Sequence, residues 1–290
     1  MTNKKKEWLR IGVFLLIAFV PTYIVGIAMN EKYGFGNWFL SINYAWIVLV
    51  VGFTPAIANV LTRLITKEGF SNSYLHLRLK GNIKKYILAA VLPIITGIAS
   101  GILITAIYGE LDFGAIFERT SPLMFVSIIL NILSIGAAAA WVTFGEEFGW
   151  RAYLYPKLEK LTGTPAACVI GGIIWGLWHA PLTADGHNFG TENWGHPWTS
   201  IGLMILFCTG TGIVLMWLTK KTGSIYPAAI CHSVINNGGS AIADFFLNGM
   251  DYESDFTLEQ HFVSFLPCIV VGAIFLVLLC IKGTSKEKEK

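Results

Sequence analysis

The chain has 290 residues, 54% of them hydrophobic and only 13% charged, with a net charge of +3. A soluble domain carries about twice that charged fraction, so a soluble globular enzyme is excluded and a membrane-embedded chain is indicated. The basic residues sit at the ends of apolar segments and form no nucleic-acid-binding patch. Cys168, Cys208, Cys231, Cys268 and Cys280 lie inside apolar stretches without a C-x-x-C pair, so no disulfide framework is implied.

Apolar runs of spanning length predict an all-α polytopic membrane protein, a bundle of about eight transmembrane helices over residues 8–29, 40–66, 86–108, 124–155, 163–181, 199–219, 224–247 and 261–281. The first follows Lys4-Lys5-Lys6. Its apolar run exceeds the roughly 7–15 residues of a signal-peptide core, so it reads as a retained helix. The segment from Lys67 to Lys85 reads as a loop along the headgroups, with Leu75, Leu77 and Leu79 alternating against Arg78 and Lys80. The fourth run is too long for one straight span. It begins as an interfacial helix near Pro122, tilts, or continues beyond the membrane.

The loop from Thr183 to Ser200 mixes turn formers with aromatics, and Trp194 and Trp198 suit an interfacial belt. His187 and His196 read as solvated loop histidines, since nothing near them completes a metal site. No linker or repeat divides the chain, which predicts a single integral membrane domain over 1–290. All but Lys32 and Arg119 of the 21 basic residues fall on one set of alternate loops and ends. The positive-inside rule then puts both termini in the cytoplasm.

Against this apolar background, Glu146-Glu147-Phe148-Gly149-Trp150-Arg151 places three ionisable groups within a turn and a half of helix. Each costs roughly 2.5–3.5 kcal/mol at a bilayer centre, so such groups face the bundle interior and one another. Glu147 and Arg151 stand at i and i+4 and can pair along one face. Glu146 is rotated about 100° away and is left free for another partner. His179 ends an apolar run just before Pro181, and His232 and Asn236 stand at i and i+4 in a later run. Taken singly, each has a plain structural reading, a helix-end salt bridge or a satisfied core histidine. Their joint occurrence points to a site, because polar groups in lipid seek one another.

A carboxylate and an imidazole can bind and deprotonate a water. A histidine and an amide can donate to the oxyanion of a tetrahedral intermediate. A second assembly makes His179, His232 and Glu146 zinc ligands around an open water position, so zinc stands as a possible cofactor. The H-E-x-x-H signature is absent, and neither Ser134 nor Ser233 has a base at a recognisable spacing. Two non-hydrolytic readings use the same residues: a proton-coupled carrier with a midplane relay, and a catalytically silent scaffold or regulator.

In their order, E-E-x-x-x-R, aromatic-x-x-x-H and H-x-x-x-N on separate membrane helices resemble the CAAX protease and bacteriocin-processing family, which includes the type II CAAX prenyl proteases. Here the motifs are Glu146 to Arg151, Trp175 to His179 and His232 to Asn236. The functional resemblance covers 124–245, the predicted catalytic core helices. It implies an intramembrane endopeptidase with Glu146 as general base and His179 holding the water. His232 and Asn236 would form the oxyanion hole, while Glu147 and Arg151 order the site. Both metal-dependent and metal-free mechanisms are consistent with it. The implied partners are a membrane-associated protein or peptide substrate and the lipid bilayer, with no nucleic acid. The short basic termini and compact size point to a bacterial cell membrane. Trp175 stands where the family usually carries Phe, which is expected to alter packing beside His179.

Depth along the helices poses one difficulty. With the fourth helix ending near Lys157, Glu146 lies roughly 16 Å above that end, whereas His179 stands some 24–27 Å above Gly163. The two meet only if the fifth helix starts deep or tilts strongly.

Overall fold

The structure, a computed structural model, describes residues 3–34, 49–109, 113–119, 121–246 and 256–281. Every regular element among them is helical. In chain order these are α1 (Asn3–Tyr33), α2 (Thr54–Ile65), α3 (Ile83–Tyr108), α4 (Phe113–Arg119) and α5 (Pro122–Gly149), then α6 (Tyr155–Thr162), α7 (Thr164–Trp178), α8 (Ala180–Ala184), α9 (Trp198–Thr222), α10 (Tyr226–Phe246) and α11 (Leu258–Cys280). A single π-helical turn, Trp150–Leu154, joins α5 to α6 without a break. The all-α polytopic membrane architecture expected from the sequence is thus borne out.

Five described helices are long and apolar enough to cross a membrane: Asn3–Tyr33, Ile83–Tyr108, Pro122–Thr162, Trp198–Thr222 and Leu258–Cys280. The other three expected spans differ for stated reasons. Leu49–Ile65 and Thr164–Trp178 are shorter apolar helices, and most of the run 40–66 before Leu49 lies outside the described residues. α10 has the length, but His232, Asn236 and Asn237 dilute its apolar character.

Helix ends follow local chemistry. Ser121 caps α5, its hydroxyl accepting from Met124 N at 3.2 Å, with Pro122 in the first turn where a missing N–H costs nothing. Thr257 and Gln260 close a reciprocal capping box on α11. Gly223 ends α9 at φ +66°, a left-handed conformation that a side chain would strain.

The bundle is assembled through close helix approaches. α10 lies between α3 and α5, α9 between α7 and α11, and α2 between α1 and α5. On α3, Gly97 and Gly101 face Ile242 and Phe246 at the same i,i+4 spacing. A Cβ at Gly101 would stand 2.4 Å from the Phe246 ring. On α7, Gly172 and Gly176 do the same against Thr209 and Ile205 of α9. In a bilayer no hydrophobic force drives helices together, so such small-residue contacts, which let backbones approach, supply the packing.

The long fourth run is one helix from Pro122 to Thr162, and this removes the depth difficulty. It continues past Pro156 to the turn at Gly163, whose φ is +83°. Glu146 lies about as many residues before Gly163 as His179 lies after it, so each stands about 24–25 Å up its own arm of the hairpin. No unusual tilt of α7 is needed. The sequence expectation took the helix only to about Lys157, whereas Pro156 occupies the first turn of α6, after the π turn, and the helix runs on to Thr162.

Three residues read as topology-setting charges are buried: Arg10, Arg63 and Lys157. Arg10 Nη1 donates to Glu7 Oε1 at 2.7 Å, and Lys157 Nζ donates to Glu7 Oε2 at 2.9 Å and to Glu68. This knot ties α1 to α6 and to the segment after α2. Removing one partner of a buried ion pair costs about 3–5 kcal/mol. Lys157→Ala should therefore lower the thermal midpoint of the detergent-solubilised protein by several degrees. The combination of Lys157→Met with Glu7→Gln should recover part of that loss, and equal midpoints for the parent and Lys157→Ala would show that the knot carries no stability.

Candidate active site

Glu146 and Glu147 stand on the last turn of α5 and Arg151 in the π turn, all three buried. Arg151 Nη1 lies 3.1 Å from Glu147 Oε1. Its Nε and Nη2 have no hydrogen-bonding partner among the described residues, and aromatic faces compensate for them: the guanidinium carbon is 3.9 Å from the Trp175 ring centroid and 5.0 Å from that of Tyr155. Gly212 on α9 makes room for this stack, because a Cβ there would stand 2.4 Å from the Tyr155 hydroxyl.

Glu147 Oε1 also accepts from His232 Nδ1 at 2.8 Å. One carboxylate oxygen therefore ties α5, the π turn and α10 together. It fixes the His232 ring, whose Nε2 makes no hydrogen bond to a described residue. Ser233, buried beside it, bonds Asn237 rather than any base.

His179 sits where α7 stops. Pro181 follows, and α1 presses against it, a Cβ at Gly26 falling 2.3 Å from Pro181 Cβ. His179 Nδ1 faces Trp175 O at 2.9 Å, which assigns the proton to Nδ1 and leaves the lone pair on Nε2. That Nε2 lies 3.9 Å from Glu146 Oε2, too far for a direct hydrogen bond. Glu146 Oε2 in turn accepts from the indole Nε1 of Trp175 at 2.7 Å.

Five of the six candidate residues thus meet in one cluster. Asn236 does not join it: it lies one turn beyond His232, exposed and without a hydrogen bond to a described residue. Trp175 does more than pack. It donates to Glu146, covers Arg151 and lies edge-on to His232 with ring centroids 5.2 Å apart. Phe could fill the space but could not donate, so the substitution alters the site's polarity as well as its packing.

The loop histidines need correction. His196 is fixed by both nitrogens, to Ser200 Oγ at 3.2 Å and Ala184 O at 3.0 Å. His187 is partly buried, and burial pushes its imidazole down to about 4, with His179 adding to the shift and Glu146 opposing it. Successive turns between Leu182 and Gly190 shape this loop.

Among the described residues, no three His, Cys, Asp or Glu side chains are arranged to hold a metal ion. Of the proposed zinc ligands, Glu146 Oε2 already accepts the indole N–H. The near nitrogen of His232 is committed to Glu147. The donor set does not fit zinc as it stands, and no step below is routed through a metal.

Residues 128–238 match the family described as type II CAAX prenyl endopeptidase, Rce1-like. The chain is also similar to CAAX prenyl protease 2 of Methanococcus maripaludis, 27% identical over 236 residues that cover 77% of this chain and 82% of that protein. The family resemblance is borne out. Membrane protease, of the CAAX prenyl endopeptidase kind, is the activity these likenesses support, and the matched segment contains all three motifs.

Arg151→Ala strands Glu147 and His232 in a site without solvent, at about 3–5 kcal/mol. The folded yield on size-exclusion chromatography should drop, and adding Glu147→Gln should restore part of it. If the double variant folds no better than the single one, Arg151 is not held in place for the sake of Glu147.

Proposed function

We propose that this protein is an intramembrane endopeptidase that hydrolyses a peptide bond in a membrane-associated, CAAX-type protein or peptide by a glutamate-activated water. The observation that carries this reading is the 3.9 Å separation of Glu146 Oε2 and His179 Nε2. Two acceptors at that spacing can share one water at about 2.8 Å from each. Glu146 takes the water's proton as hydroxide adds to the scissile carbonyl, and later passes it to the departing amine. His179 orients the same water through its second hydrogen.

The tetrahedral oxyanion is met by His232 and Asn236. With Nδ1 turned to Glu147, His232 presents its Nε2 edge to the oxyanion. Asn236 is suited to substrate because its amide has no bond to a described residue that must first break. Glu147 and Arg151 hold the ring in place and touch no reacting atom. The name of the Methanococcus maripaludis relative favours a prenylated substrate tail. The one-sided loop charge favours both termini in the cytoplasm.

Glu146→Gln keeps the shape and the indole contact but cannot take a proton. Cleavage of an internally quenched, farnesylated CAAX peptide should fall about 10²–10⁴-fold with unchanged membrane insertion. A rate above half that of the parent would remove Glu146 from this role.

Trp175→Phe tests the donated hydrogen bond. Turnover should drop by about tenfold, the equivalent of about 1.4 kcal/mol, with KM unchanged. Parental turnover would mean that the indole N–H does not help to orient the base.

A further inference from the structure

The three motif helices do not hold the site alone. α2 packs directly on the turn that bears both glutamates, and the glycines that flank them make the contact. A Cβ at Gly145 would stand 2.8 Å from Gly52 O, and one at Gly149 would stand 2.2 Å from Pro55 Cβ. Immediately beyond, the chain enters its π turn, where Tyr155 N donates five residues back to Trp150 O. Pro156 has no N–H, so the buried carbonyls of this turn are one backbone donor short, and a donor from elsewhere is called for.

α2 supplies it. Arg63 Nη2 donates to Ala152 O at 3.3 Å, and Asn59 Nδ2 donates to Phe148 O at 2.6 Å. The two side chains are locked together, Arg63 Nε donating to Asn59 Oδ1 at 2.6 Å. The remaining guanidinium bonds run to Gly69 O at 2.8 Å and Asn72 O at 3.1 Å. Both residues are buried, Asn59 fully. They bracket the segment 148–152, and Arg151 lies within it.

We propose that Asn59 and Arg63 are positioning residues for peptide hydrolysis. They hold the π turn at the register that sets Arg151 against Glu147, and through Glu147 the ring of His232, opposite Glu146. Neither touches the reacting groups, so they act through the backbone. The proposal rests on the reading of Glu146 as general base.

The test uses the purified full chain and the internally quenched farnesylated CAAX peptide. Asn59→Leu keeps the volume and removes the donor, and Arg63→Lys keeps the charge and loses the planar fork. A site misplaced by about an ångström loses up to 10²-fold in rate. Asn59→Leu should therefore lower kcat about 10- to 100-fold, and Arg63→Lys about 3- to 10-fold. KM should stay within twofold, the thermal midpoint within a few degrees, and the affinity for an uncleavable analogue of the peptide unchanged. Parental kcat, or a kcat that falls only in step with folded fraction and analogue binding, would overturn the positioning role. If Asn59→Leu does not fold, Arg63→Lys decides alone by the same two criteria. Glu146→Gln run alongside separates the two questions: activity above half the parent's sinks the base assignment, whatever α2 does.

Discussion

The buried pair of Glu147 and Arg151 is the constraint on which the site depends. Neither group is solvated, and an isolated charge in such surroundings is too costly to persist. Arg151 must therefore find both a carboxylate and aromatic faces, which brings Trp175 from α7 and Tyr155 from the start of α6. Glu147 has a second lone pair to satisfy and takes the His232 ring from α10. Three helices and the π turn are thereby fixed by satisfying one ion pair, and Glu146, on the same turn but rotated away, is left facing His179. The division of labour between two adjacent carboxylates follows from helical rotation and desolvation together.

The π turn serves the same arrangement. Such turns recur at functional sites because they shift side chains without ending a helix. Here the turn lets the helix run past Pro156 and carry the chain on to Gly163, and the hairpin about that glycine brings Glu146 level with His179. Geometry far from the chemistry thus sets the 3.9 Å gap on which water activation would rest.

How much of this was legible in the sequence varies with the physics involved. Spans and motif residues stood out because charge and imidazole are rare in apolar runs. The pairing of Glu147 with Arg151 follows from i,i+4 spacing and survives the π turn. Other features carried no such mark. Arg63 lies at the end of an apolar run and looks like any topology-setting base. Only packing reveals that it and Asn59, also at i and i+4, face backbone carbonyls. The indole N–H of Trp175 is invisible when aromatics are treated as interchangeable. His187 and His196 sit among turn formers, yet the folded loop leaves both only partly exposed. Periodicity sees neither a π turn nor a loop's path.

The knot of Glu7, Arg10, Glu68 and Lys157 sets an order of assembly. Glu7 emerges during synthesis 150 residues before Lys157. Until then Glu7 and Arg10, three residues apart, neutralise each other within one helix, so the pair adds no net charge to the nascent α1. Glu68 arrives with the end of α2 and tips the knot to net negative, a deficit that Lys157 cancels. Lys157 follows directly on the turn that carries Arg151, so the knot can close only once the glutamate-bearing helix has been made. The first helix of the bundle is locked only after the glutamate-bearing helix has followed it.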